Sequence, residues 1–169
     1  MELKTTTLKL QTLNLDTVLR YSLITASILI PLLISKPQLL VGSAINILIL
    51  VSTFKYGVKK SLPIYIIPSV TSLLRGLLFG GATVFLAYLI PFIILSNLIF
   101  AYISNTKKNI LTISLGVILK TLFLFSTVYI LIHTIGLPSI FLQSMGYMQL
   151  ITGFVGGVVT LLLLRVTKA

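Results

Sequence analysis

Long apolar runs alternate with short basic breaks along this chain. The runs fall at about residues 17–35, 38–54, 62–79, 82–104, 110–135 and 148–164. A helix needs about 17–25 predominantly apolar residues to cross the hydrocarbon layer, and all the runs but one meet that directly. The third is the exception, because Pro63 and Pro68 interrupt it and Arg75 follows soon after. It is expected to be short, broken or tilted, or to be completed by residues 75–79. Pro31 and Pro91 are expected to kink the first and fourth helices. The pattern predicts an all-α integral membrane protein, a six-helix transmembrane bundle forming one domain over residues 1–169. Residues 1–16 are polar, with spaced leucines and Lys4 and Lys9 between them, and are expected to lie at the membrane surface. Asp16 or Thr17 is placed to cap the first helix. No small-x-small cleavage site precedes Lys36, so the first run is expected to stay as a span rather than leave as a signal peptide. Residues 136–138 end the fifth run, and 139–147 form a loop or short helix.

Composition agrees with this reading. Hydrophobic residues make up 57%, charged residues only 9%, and the mean hydropathy is +1.14. Soluble domains carry about 25% charge and could not hide this much apolar surface. Thirteen Lys and Arg stand against two carboxylates, for a net charge of +11. That excess would suit nucleic acid if it were gathered on one surface, but the cations sit in the breaks between apolar runs. With six spans, one side receives Lys4, Lys9, Arg20, Lys55, Lys59, Lys60, Lys107, Lys108, Arg165 and Lys168; the other receives Lys36 and Arg75. By the positive-inside rule both termini are cytoplasmic, in a multi-pass protein of the cell membrane with the lipid bilayer as its surroundings. No nucleic-acid partner is expected. The chain has no cysteine, which excludes disulfides, thiolate metal sites and cysteine nucleophiles.

Polar residues inside apolar runs are the candidates for function. The stretch 72–97 holds Arg75, Gly76, Gly80, Gly81, Pro91 and Asn97. It reads as a re-entrant or outward-facing loop joining two helices, since glycine tolerates turns that other residues strain. Lys120 lies ten residues into the fifth run, roughly 15 Å along the helix axis and near the bilayer centre. Gly116, Thr127 and Thr134 share its helical stripe. It either faces a polar interior or snorkels towards the headgroups. Asn46, with Gly42 and Thr53 on its stripe, and Asn97 are deep amides, whose ordinary use is an interhelical hydrogen bond of about 0.6–2 kcal/mol. Glu2 and Asp16 lie on the cytoplasmic side, away from Arg75 and Lys120. The counter-charge for these two cations must come from carbonyls, lipid phosphate, a partner or an anionic solute. Asn46, Arg75, Gly80, Asn97 and Lys120 are therefore the candidate solute-binding residues. His133 has no second ligating residue near it, so no metal is expected. No nucleophile–base set or paired carboxylates occur, and neither an enzyme nor a cofactor is expected. Two small-residue pairs permit close helix contact: Ser22 with Ala26, and Gly153 with Gly157; either packs inside the bundle, the commoner use, or against another subunit.

The run Ile45-Asn46, Gly57, Pro68, Leu74-Arg75-Gly76, Pro91-Phe92-Ile93 and Asn97 resembles the substrate-binding S components of energy-coupling factor (ECF) transporters. The likeness covers about residues 45–100 and is nearest to members with an LLRG…PFI-x-L-G-N pattern. Ser96 stands where that pattern has glycine. The resemblance implies a six-helix subunit that captures a vitamin-like micronutrient from outside. It also implies docking on a transmembrane coupling subunit that carries two ATPases. Ser22 and Ala26 are the nearest match to the small residues that touch the coupling subunit in that family. A stand-alone channel or carrier, and a membrane scaffold without ligand, are the alternatives that the residues alone leave open.

Overall fold

The computed structural model describes the backbone of residues 2–34, 36–76 and 80–166 and, apart from residues 2–14 and Gly80, their side chains. Among the described residues there is helix and no strand. The order is α1 (Glu2–Leu33), α2 (Gln38–Lys60), α3 (Leu62–Arg75), a 3-10 helix (Gly80–Phe85), α4 (Leu86–Lys107), α5 (Ile110–Ile135), α6 (Ile140–Met145) and α7 (Tyr147–Val166). Five stretches are long and apolar enough to cross a membrane: Leu15–Leu33, Gln38–Lys60, Gly81–Lys107, Ile110–Ile135 and Ile140–Val166. This is the make-up of a membrane protein.

α3 is the short element. Its 14 residues span about 21 Å, less than the roughly 30 Å of hydrocarbon. It runs unbroken through Pro68 and stops at Gly76, whose φ of 70° is the left-handed cap that glycine adopts without strain. The third span is thus short rather than broken at its proline, and residues 77–79, expected to extend it, lie outside the described residues.

Two other boundaries differ from expectation. α1 continues unbroken from Glu2, because no proline or glycine interrupts residues 2–30. Asp16 is therefore not a cap. Its carboxylate pairs with Lys55 at 2.9 Å, and its carbonyl accepts from the Tyr56 hydroxyl at 3.1 Å. The basic loop expected at 55–60 is the last part of α2, kinked at Gly57, where φ is 79° and ψ 166°.

Side-chain contacts set the helix directions. Gly42 faces Thr152 and Asn46 faces Gly156, so α2 and α7 run parallel. Gly153 faces Val117 and Gly157 faces Ile113, so α5 runs against α7. A Cβ on these glycines would come within 2.7 and 2.5 Å of those side chains, and one on Gly156 within 2.7 Å of Asn46 Cβ. The glycine pair of α7 is spent inside the bundle, which brings α5 and α2 close to one face of α7. Lys55, Lys59, Lys60, Lys107, Lys108 and Arg165 gather at one end of the bundle, called here the basic end.

Buried apolar side chains form two clusters. One, with Leu50, Phe54, Phe100, Ile113 and Val117, fills the half nearer the basic end. The other, with Leu86, Leu89, Leu124, Val128 and Phe141, fills the opposite half. Between them lies a polar layer, since Asn97 falls between Ile93 and Phe100 on α4, and Lys120 between Val117 and Leu124 on α5.

Candidate functional site

The polar layer is built from one residue on each of several helices. Lys120 projects from α5 into the interior and is 4% exposed. Its Nζ donates to Asn46 Oδ1 at 2.8 Å and lies 5.2 Å from the centroid of the Phe100 ring. The ring face carries the negative lobe of its quadrupole and partly offsets the cation. Asn46 passes the bond on, donating through Nδ2 to Thr152 Oγ1 at 3.2 Å, and Thr152 donates to the Gln149 carbonyl at 3.3 Å. Gly42 sits opposite the Thr152 side chain, where a Cβ would come within 2.8 Å of Thr152 Cγ2. That small residue gives α7 room to approach. An ammonium has three donors, and one of them is used here by a protein oxygen.

Beside this chain lies a cavity of about 100 Å³, on the side of the polar layer away from the basic end. α2 contributes Gln38, Val41, Gly42, Ile45 and Asn46; α3 contributes Pro68, Ser69 and Ser72; α4 adds Leu86, Ile93 and Asn97, α5 Lys120, α6 Met145 and α7 Gln149. Half of the lining residues carry polar side chains, amides, hydroxyls and one ammonium, and the volume lies below the roughly 300–1,000 Å³ of drug-sized ligand sites, which restricts the cavity to a small occupant. Asn97 donates through Nδ2 to the Tyr65 carbonyl at 3.1 Å. That bond fixes the amide at the cavity wall. The Tyr65 hydroxyl in turn pairs with Thr53 Oγ1 at 2.7 Å, which ties α3 to α2 below the cavity. At Gln38, a lining residue, Ser144 Oγ donates to Oε1 at 3.2 Å.

The structure brings together Asn46, Asn97 and Lys120 at this cavity. It does not bring Arg75 there. Arg75 is half-buried and donates through its guanidinium to the Pro31 carbonyl at 3.1 Å. That carbonyl lies in the last turn of α1, the part of a helix whose carbonyls look outside it for donors. Arg75 thus locks the end of α3 to the end of α1 and is no part of the cavity wall. Gly80 begins the 3-10 helix, and its surroundings lie outside the described residues. The stretch 72–97 is the end of α3, that 3-10 helix and the first half of α4, with 77–79 outside the described residues. The snorkelling alternative for Lys120 does not hold, because its ammonium turns inward to Asn46. Of the partner-facing pair, Ser22 is exposed with its hydroxyl on the Val18 carbonyl at 2.9 Å, while Ala26 packs against the interior cluster.

The sequence reading does not single out Gln38, Ser69, Ser72, Met145 or Gln149. A signal exists in spacing for α2 and α3: Gln38, Gly42, Ile45 and Asn46 share one face of α2, and Ser69 and Ser72 lie one turn apart on α3, whereas Met145 and Gln149 belong to different helices. Which of several polar stripes faces the same void is set by packing alone. Comparison with family models, with curated proteins and with solved structures gives no match to this chain.

Proposed function

We propose that this protein captures a small solute carrying a carboxylate, a phosphate or several carbonyl oxygens, in the cavity between α2, α3, α4, α5 and α7. The observation that carries the reading is the Lys120 ammonium: buried, held by one amide oxygen, and bordering a cavity with no carboxylate among its described lining residues. An uncompensated cation near the bilayer centre costs about 2.5–3.5 kcal/mol on insertion scales. A solute oxygen meeting the unused donors of Lys120 removes part of that cost and sets the preference for an acceptor-rich ligand. Asn97 and Gln149 supply amide groups for orientation, and Ile45, Leu86 and Ile93 supply apolar contact.

The basic end faces the cytoplasm in this proposal, so both termini are cytoplasmic and the cavity lies in the outer half of the cell membrane. The likeness to ECF S components supports the same reading, since its residues Asn46, Pro68 and Asn97 all border the cavity. The subunit then works with an ECF coupling subunit and its two ATPases, which meet the exposed side of α1 around Ser22. The experiment is native mass spectrometry of mildly solubilised protein beside its Lys120→Met variant. A small acidic or carbonyl-rich molecule retained by the parent and lost from the variant is the expected result. The same molecule retained equally by both rejects the site.

A further inference from the structure

A second opening lies at the other end of the bundle. Phe54 of α2, Ile110 of α5, and Leu161 and Leu164 of α7 enclose a groove of about 460 Å³, and Lys108 and Arg165 stand at its rim. Lys108 is fixed there by the fold: it takes the left-handed conformation that ends α4, with φ at 51°. Its Nζ donates to the Phe54 carbonyl at 2.9 Å and lies 5.8 Å from the centroid of the Phe54 ring. That leaves it donors to spare. The Arg165 side chain, in the last turn of α7, is exposed and makes no hydrogen bond or ion pair with another described side chain. Among the described side chains no carboxylate borders the groove, and Asp16 is already held by Lys55. Two cations thus share the rim of an apolar trough that begins where the helices end.

We propose that this groove binds an acidic phospholipid of the same leaflet, its phosphate between Lys108 and Arg165 and an acyl chain along Leu161, Leu164 and Ile110. Charge complementarity requires an anion at the rim. The apolar wall requires a tail attached to it, since a free phosphate would leave Leu161 and Leu164 facing water. Basic pockets between membrane helices on the cytoplasmic side recognise lipid headgroups in this way. The site is separate from the solute cavity and stands whether or not that cavity binds a solute.

The test uses the full chain in neutral detergent, offered phosphatidylglycerol and phosphatidylcholine of matched acyl chains, with retention read by native mass spectrometry. Phosphatidylglycerol should be retained over phosphatidylcholine by at least about fivefold, the factor that one basic residue near an anionic surface contributes. Arg165→Gln removes a charge but no bond to another described side chain and should remove most of that preference. Leu161→Trp fills the trough and should lower retention with both cations in place. Lys36→Gln, at the opposite end, should change nothing. Equal retention of the two lipids by the parent overturns the proposal. So does inorganic phosphate displacing phosphatidylglycerol at matched concentration, or a loss in Lys36→Gln as large as in Arg165→Gln.

Discussion

Lys120 and Asn46 depend on each other in a way that a double substitution separates. Removing Asn46 alone, as Asn46→Leu, strands a buried ammonium, and the penalty for an unsatisfied polar group is about 1–3 kcal/mol or more for a charged one. Removing both, as Lys120→Met with Asn46→Leu, replaces the pair by apolar groups of similar size and should restore most of the lost stability. Thermal unfolding in detergent reads the first effect. It reads the second as well: the double variant should recover most of the parent's stability yet fail to bind the proposed solute. A double variant no more stable than Asn46→Leu would place the importance of Asn46 in its bond to Thr152 instead.

α7 and α3 owe their positions to glycines for different reasons. On α7 the reason is space: Gly157→Val would press a branched side chain onto Ile113, already 2.5 Å from an added Cβ, and should destabilise by about 1–3 kcal/mol. On α3 the reason is conformation. Nothing lies within 4 Å of an added Cβ at Gly76, so Gly76→Ala should be felt only through its φ of 70°, at about 1–2 kcal/mol. Unfolding midpoints of the two variants, measured in one detergent, check both. An added alanine at Gly76 that leaves stability unchanged would mean that the end of α3 can unwind without loss. If the proposed ECF assembly is right, a coupling subunit meets α1 on its exposed side at Ser22, and Ser22→Leu should release that subunit while retention of the proposed solute persists. Complex formation unchanged by that substitution would move the docking surface elsewhere.

Cations and helix directions together give the bundle two unlike ends. Lys36 lies at one and Lys107 at the other, so single cysteines at these positions should be labelled by an impermeant reagent from opposite sides of the membrane. The chain has no native cysteine to confuse the result. Labelling of both from one side would mean that α3 does not complete its crossing, a direct test of how a 14-residue helix serves in this bundle.

Composition and the rhythm of apolar runs were enough to establish the helical class, the membrane setting and most helix boundaries. These follow from local chemistry: a backbone in hydrocarbon must satisfy its own hydrogen bonds, and about 20 apolar residues do so in one helix. The end of α3 was legible in part, because prolines shorten an apolar run, yet the stop at Gly76 rather than at Pro68 depends on a left-handed cap. The continuity of α1 past Asp16 was not legible, since a carboxylate suited to capping also suits a cross-helix ion pair, and only the placement of Lys55 chose between them. The same holds for the two deep cations. Arg75 and Lys120 looked alike in sequence, each an uncompensated charge in an apolar stretch. Packing separated them by giving Arg75 the Pro31 carbonyl in the last turn of α1 and Lys120 an amide beside a void. Sequence periodicity tells which residues share a helix face, but what that face meets is decided by neighbours distant in the chain.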